Sequence, residues 1–353
     1  MSKAEQLRVS GQLPSPKGVA LAIMELCRRE DVALDDVARV VQTDPALSGR
    51  ILRQANAAIN GGRAVASIHD AVLRLGMNSV RQMAMGFSLI DQYAQGPCQK
   101  FDYASYWSHC LLMAVSCQEL GRLVRVATPD DLFACGLLAR VGELALATVY
   151  PAEYSGILEA EASGEALLEI ERERLETDHA EFTAVIMADC GMPRALAEPV
   201  QFHEAPETSG FIEGSRPYQL TQLLFQARCM ADLGLANELD RHNKISELMR
   251  LGGKIGLDAG TFGELFDRVI QQWRSWGELL KIRAVPVPSF DSMANAPAPR
   301  PDRDHWTACK TVLLVEDEPT NRMMTEALLR NLLGCTVHTA ENGRDALALA
   351  LQV

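Results

Sequence analysis

The hydrophobic and polar positions of this chain repeat mostly with the 3.6-residue period of an α-helix. Apolar residues recur three and four positions apart from about residue 14 to residue 282, and few period-two runs occur there. Beyond residue 100 the pattern predicts helices near 102–122, 129–149, 151–163, 165–175, 178–190, 193–204, 217–234, 241–251 and 261–282. The pattern therefore predicts a mainly α protein with an all-helical body.

Start and stop signals divide the N-terminal part into short helices. Residues 43–45 (Thr-Asp-Pro) place a capping side chain before a proline at the first helical position. Residues 60–62 (Asn-Gly-Gly) predict a break in the chain after that helix. Ser67 opens the next helical pattern, and Gly76 ends it.

The pattern changes near residue 283. Residues 283–310 contain Pro286, Pro288, Pro297, Pro299 and Pro301 and show little apolar periodicity, which predicts an extended, semi-rigid linker. Residues 311–353 then follow a βαβα pattern, in which a buried strand, a helix, a second strand and a second helix alternate. This order is typical of the beginning of a doubly wound sheet.

The composition of the chain argues against several classes of protein. A net charge of −12 and a pI of about 5.1 argue against a general nucleic-acid or anionic-membrane surface. No signal peptide is recognisable, and no run approaches the roughly 18 uninterrupted apolar residues of a membrane span. The nine cysteines are an odd number without CxxC spacing, which favours reduced thiols and a cytoplasmic location.

Three separated motifs resemble the HDOD family, the HD-related output domains of bacterial signalling proteins. They are TDPALSGRILRQAN at 43–56, SIHDAV at 67–72, and Leu75-Gly76. The resemblance extends over about 10–235 and implies an HDOD-like domain at 10–282 with an HD-like core at about 100–235. HDOD domains lack phosphohydrolase function and act as interaction modules, so the resemblance implies a domain that binds without catalysis.

Residues 137–146 (LLARVGELAL) resemble the segment that carries the His-Asp metal pair of HD phosphohydrolases. The two positions of that pair hold Ala139 and Arg140. A methyl group cannot ligate a metal, and a guanidinium repels one and has no lone pair to offer. We therefore expect no enzyme activity and no cofactor in the HDOD domain.

Other positions of the HD pattern are retained, and together with the vacated pair they define a vestigial pocket. The resemblance places ligand positions at His109, His179, His203 and Asp232, with Glu204 where a second paired histidine would stand. Three histidines and an aspartate could ligate zinc or another transition metal. The alternative is a set of core histidines hydrogen-bonded among helices, with Arg140 paired to Glu143 or Glu204.

Residues 312–319 (VLLVEDEP) resemble the first strand and loop of a response-regulator receiver domain. Glu316 and Asp317 occupy the positions of its acidic pair, which would bind Mg²⁺ in a complete receiver. No third strand and no phosphoacceptor aspartate follow, so we expect a truncated receiver fragment with exposed apolar edges.

These resemblances imply a bacterial two-component signalling protein. A sensor histidine kinase would be the partner of the receiver, and the HDOD domain would contact a signalling protein that the sequence does not identify. The surface for that contact is expected to include part of 44–63. The alternatives are a degenerate metal-dependent phosphohydrolase acting on a nucleotide or cyclic dinucleotide, and a sensor that binds such a ligand in the vestigial pocket without turnover.

Overall fold

The structure is a computed structural model, and its helical content confirms the prediction of a mainly α protein. It describes residues 6–7, 9, 11, 13–27, 29, 31–57, 64–160, 165–189, 191–254, 258–296, 311–333 and 336–350. The chain divides into two compact units, Met1–Ala296 and Pro297–Val353.

The described part of the first unit is helical. Its N-terminal helices are α1 Gly18–Leu26, α2 Leu34–Gln42, α3 Pro45–Ala57, α4 Ile68–Leu75 and α5 Met77–Gln92. The following helices are α6 Tyr103–Val124, α7 Pro129–Leu138, α8 Val141–Val149, α9 Pro151–Leu158, α10 Glu165–Leu175, α11 His179–Asp189 and α12 Arg194–Val200. After a 3₁₀ turn at Pro206–Ser209 come α13 Arg216–Leu235, α14 Glu238–Lys254, α15 Ala259–Leu280 and α16 Phe290–Ala294.

Helix α6 is the centre of the first unit. Every residue from Tyr106 to Gly121 is buried, and α7, α13 and α15 pack around this helix. Trp273 of α15 donates its indole N–H to the carbonyl oxygen of Ser108 at 3.1 Å, which pairs a buried polar group at the contact. A helix that is apolar on all sides is stable only inside such a core.

Short polar side chains set the starts of the helices that carry the site. Asp102 accepts a hydrogen bond from the Ser105 amide before α6, and Thr128 accepts one from the Asp131 amide before α7. Each cap satisfies an amide that has no partner inside its own helix. The predicted cap at Asp44 is also present, because its Oδ1 accepts from the backbone amides of two residues of α3.

The prediction of one helix over 129–149 is wrong, because the helix breaks at Ala139 and Arg140. Arg140 has φ −107° and ψ 16°, and its carbonyl oxygen accepts a hydrogen bond from the Tyr106 hydroxyl at 3.0 Å. The segment Pro129–Val149 is long and apolar enough to cross a membrane, but 83% of its apolar window is buried inside the first unit. Its hydropathy is thus that of a core segment.

The prediction of an extended linker over 283–310 is wrong for residues 283–296, which belong to the first unit. Val287, Phe290 and Met293 are buried, and the Phe290 ring packs edge-on against Phe262 of α15. Val287, Phe290 and Met293 recur at every third position, and the prolines at 286 and 288 led to the prediction of a linker. Residues 297–310 lie outside the described residues, as does the predicted break at 60–62.

The second unit has the predicted βαβα order. Strands β1 Thr311–Val315 and β2 Thr336–Ala340 pair in parallel, with Leu313 opposite His338, and helices α17 Pro319–Leu333 and α18 Gly343–Ala350 follow them. Val315 is 47% exposed, which agrees with the expected exposure of apolar side chains. A two-stranded sheet cannot cover both of its faces and edges.

Candidate functional site

The two positions of the HD metal pair lie at the break between α7 and α8. Ala139 is buried and offers only a methyl group. Arg140 donates from Nε and Nη2 to the two carboxylate oxygens of Glu143, at 2.6 and 2.7 Å. Burial raises the pKa of Glu143, but the neighbouring guanidinium outweighs it and holds that pKa below its usual value. A permanent ion pair therefore stands at the position of the HD metal pair.

His109 of α6 pairs with Asp232 of α13. Its Nε2 lies 2.9 Å from Asp232 Oδ1. Burial and the charge of Arg140 lower the pKa of His109, while the hydrogen bond to His109 lowers the pKa of Asp232 to about 2, against burial. We assign a neutral imidazole that donates Nε2–H to an ionised carboxylate, which leaves Nδ1 buried without a hydrogen-bond partner among the described residues.

His179, at the start of α11, lies between two carboxylates. Its Nδ1 is 2.7 Å from Glu171 Oε2, and its Nε2 is 3.5 Å from Glu204 Oε2. Burial opposes a charge on the imidazole, but the hydrogen bonds and charges of these carboxylates raise the pKa of His179 well above its usual value. Both ring nitrogens of a protonated histidine are donors, so the geometry fits an imidazolium.

His203 and Glu204 follow α12 and differ in charge. His203 Nδ1 donates to the carbonyl oxygen of Val200 at 2.7 Å, and burial lowers the pKa of this histidine to about 4. Glu204 is held ionised despite burial by His179 and, at 3.6 Å, by Nε of Arg228. A neutral histidine thus adjoins an ionised glutamate.

The structure brings the predicted HD-like positions together around Arg140. Charge interactions connect Arg140 to His109 and to Glu204, and connect His203 to His179. Arg140 was predicted to pair with Glu143 or Glu204, and it forms hydrogen bonds with Glu143. Glu204 lies near His179 and Arg228. The predicted pair Glu316 and Asp317 follows β1 in the second unit.

Two residues of this cluster were missed by sequence analysis. Glu171 is fully buried and also accepts the backbone amide of His179 at 2.8 Å. Arg228 is a second guanidinium of the cluster, and its Nε lies 3.6 Å from Glu204 Oε1. With them, the carboxylates of Glu143, Glu171 and Glu204 face three cations (Arg140, Arg228 and protonated His179), while the ionised carboxylate of Asp232 accepts from His109 and lies near Arg228 and Lys244.

Glu143, His179 and Glu204 carry the kinds of atoms that bind a divalent metal. Ligand atoms of Glu143, His179 and Glu204 lie within 4.8 Å of one another, a spacing that a metal could bridge. However, both oxygens of Glu143 are bound by Arg140, and both nitrogens of His179 face carboxylates. Metal binding requires free lone pairs and an unprotonated imidazole. The residues as arranged therefore do not fit a divalent ion.

A cleft of about 330 Å³ opens beside this cluster. It is lined by Tyr106, His109, Arg140 and Asp232 together with Lys100 and Lys244 from other segments. The cleft is where a ligand could reach the retained HD-like residues.

A family model, that of the HDOD domain, matches residues 13–206. The chain belongs to the HDOD family. The matched region runs from before α1 to the 3₁₀ turn and includes Ala139, Arg140, His179 and Glu204.

Several solved structures are similar to this HDOD chain. A protein from Shewanella amazonensis SB2B, provisionally named a phosphohydrolase, is 28% identical over 79% of this chain and 98% of its own, with a TM-score of 0.57. An HDOD domain protein of unknown function from Geobacter sulfurreducens is 20% identical over 78% and 96% of the two chains, with a TM-score of 0.54. The MmoQ response regulator from Methylococcus capsulatus is 39% identical over 72% and 98%, with a TM-score of 0.47.

Among curated proteins, an uncharacterized protein from Treponema pallidum (strain Nichols) is 23% identical over 240 residues. The match covers 62% of this chain and 45% of that protein, so the chain spans less than half of the relative's length.

Proposed function

We propose that this chain is a non-catalytic signalling protein whose HDOD domain acts by binding a protein partner. The observation that carries the proposal is the bidentate pair of Arg140 and Glu143 at the position of the HD metal pair. Hydrolysis by an HD site needs a metal-activated hydroxide. Here the charge of a metal is replaced by the charges of arginine and protonated histidine.

The second part of the proposal concerns the input. Glu316 and Asp317 follow β1 at the carboxyl end of a parallel strand, the edge where doubly wound sheets bind ligands. In a complete receiver domain these oxygens would hold Mg²⁺, and a sensor histidine kinase would supply the phosphoryl group to this protein in the cytoplasm. The HDOD surface would then pass the signal to its partner.

The partner surface is proposed to include α3 and the segment after it. Asp44 fixes the start of α3, and Pro45, Ala46 and Gly49 are exposed along the helix. Exposed residues held on a rigid element are suited to recognition, because little conformational entropy is lost on binding.

A second candidate function is supported by specific observations. The cleft beside His109 favours a nucleotide sensor. The ligand atoms of Glu143, His179 and Glu204 lie close enough for a phosphohydrolase metal, but a metal would first have to displace Arg140 from Glu143 and the proton from His179. The provisional name of the Shewanella protein points in the same direction. Measurements of bound metal and of partner binding distinguish these two functions from the proposed one.

The test combines metal analysis with an interaction assay on the full chain. Purified protein is incubated with Mn²⁺, Fe²⁺ or Zn²⁺, desalted and analysed for metal, and assayed for phosphodiesterase activity. We expect well under one equivalent of metal and no activity. Stoichiometric metal, together with activity that is lost in His179→Ala, would establish the enzyme instead.

The interaction assay compares wild type with the His109/His179/His203 triple alanine variant in pull-downs from the native cell. If the variant is folded, equal recovery of the same partner supports a binding surface outside the vestigial pocket. Loss of the partner in the variant alone would favour the sensor. A variant with Pro45→Lys and Gly49→Lys places charges on the proposed surface and should lose the partner while remaining folded.

A further inference from the structure

A second cavity, of about 510 Å³, lies between α6 and α13 with Leu251 of α14 at one side. It shares no lining residue with the cleft beside His109. Its volume is in the range of small-molecule binding pockets. The function proposed above makes no use of it.

The walls of this cavity combine apolar side chains with one row of amides. Leu120 and Leu223 are buried and form the apolar side. Gln219, Gln222 and Gln226 are spaced by three and four residues on α13, so they lie along one face of that helix. A mostly apolar pocket with a few convergent polar groups is typical of a site for a small organic ligand.

Gln226 supplies the most specific observation. The residue is 3% exposed, it lines the cavity, and its Nε2 has no hydrogen-bond partner among the described residues. An unpaired buried donor destabilises a fold, so such groups are usually satisfied by a ligand or an ordered water. A hydrogen-bond acceptor placed in this cavity would meet that donor.

The charges of the lining determine the class of ligand. Glu213, which is exposed, is the one acidic or basic side chain among the lining residues that the structure describes. A phosphate or carboxylate group would find no cation there and would be desolvated against apolar walls. This property distinguishes the cavity from the His109 cleft, which Lys100, Arg140 and Lys244 line.

We propose that this cavity binds an uncharged small molecule with an apolar body and a carbonyl or carboxamide group that pairs with Gln226. The apolar body packs between Leu120 and Leu223. The amides of Gln219 and Gln222 both donate and accept, so they complement a carboxamide edge. The inference is independent of whether the HDOD domain acts as a signalling output.

The test uses three probes with the full-length protein. Nile red is uncharged, carries a carbonyl group and gains fluorescence in an apolar site. Benzamide and benzoate have nearly the same shape and differ in charge and in donor groups. We expect saturable binding of one Nile red, competition by benzamide at about millimolar concentration, and much weaker competition by benzoate.

Three variants localise the site. Gln226→Leu removes the unpaired donor and should weaken benzamide binding by at least about five-fold, the order of one lost hydrogen bond, without lowering the melting temperature. Gln82→Leu is the matched control, because Gln82 is also buried, its amide atoms have no hydrogen-bond partner in the described part of the chain, and it does not line the cavity. Leu123→Trp changes a half-exposed lining residue and should fill the cavity without disturbing the core.

The proposal is overturned by any of four results. Nile red could fail to saturate, or bind Leu123→Trp as well as wild type. Benzoate could compete as well as benzamide. Gln82→Leu could weaken benzamide binding as much as Gln226→Leu. If Gln226→Leu does not fold, Leu123→Trp and the comparison of benzamide with benzoate still decide the outcome.

Discussion

Gly142 lies directly against the backbone of His179. A Cβ atom at position 142 would be 1.8 Å from the carbonyl oxygen of His179, and the amide of Gly142 donates to Thr183 Oγ1 at 3.0 Å. Only a residue without a side chain allows α8 and α11 to approach this closely. The same approach brings His179 into the group of charges that contains Glu143.

Replacement of Gly142 tests this packing. We expect Gly142→Ala to lower the free energy of unfolding by roughly 2–3 kcal/mol, because the obstacle is backbone and cannot rotate away. Chemical denaturation followed by tryptophan fluorescence measures the change. Gly49→Ala is the control: nothing lies within 4 Å of its added Cβ, and alanine should stabilise α3 by about 0.5–1 kcal/mol. Equal effects of the two substitutions would contradict the packing argument.

The pair of Arg140 and Glu143 is expected to be strongly coupled. Arg140→Met leaves a buried carboxylate without its cation and should destabilise the fold by about 3 kcal/mol. Adding Glu143→Leu should recover much of the loss, so a double-mutant cycle should show a large coupling energy. The exposed pair of Arg39 and Asp36 provides the comparison, with a coupling below about 1 kcal/mol. If the two substitutions changed the free energy of unfolding additively, the attraction between Arg140 and Glu143 would not offset the cost of burying their charges.

Asn56 of the 43–56 motif has a structural role. Its Nδ2 donates to the carbonyl oxygen of Val65 at 2.9 Å, and its Oδ1 accepts from the Val65 amide at 2.8 Å. We expect Asn56→Ala to cost about 1–3 kcal/mol of unfolding free energy, and Asn56→Asp to remain destabilising because its carboxylate would face that carbonyl. Asn78→Ala, at an exposed site, should change stability by less than about 0.5 kcal/mol. Wild-type stability in Asn56→Ala would refute this role.

Periodicity and capping residues were sufficient to predict the helical body and the cap at Asp44, whereas the HD-like positions came from the resemblance to the HD family. They missed the break at Arg140, because apolar periodicity continues through it and the hydrogen bond that accompanies it comes from Tyr106, distant in sequence. Glu171 could not be predicted either. Glu169 and Glu173 on the same helix are chemically identical and exposed, and only tertiary packing places Glu171 beside His179.

The charges assigned to His179 and His203 predict opposite pH dependences. His179 has a folded pKa raised above the unfolded value of about 6.5, so its contribution to stability is complete below pH ~6.5. That contribution is lost as pH rises from there through the folded pKa, by up to about 1.4 kcal/mol per pH unit. His203 has a folded pKa of about 4, so its neutral form stabilises the fold above pH ~6.5 and this contribution is lost as pH falls toward 4.

The measurement compares unfolding free energies of wild type, His179→Gln and His203→Gln between pH 4.5 and 9. Subtracting each variant from wild type removes titrations common to both proteins. The difference for His179→Gln should shrink on the alkaline side of pH ~6.5, and the difference for His203→Gln should shrink on the acid side. A flat profile for His179→Gln would show that His179 is not the buried cation facing Glu171 and Glu204. The charge compensation proposed in place of a metal would then fail, because one of the carboxylates of Glu143, Glu171 and Glu204 would lack its counter-charge.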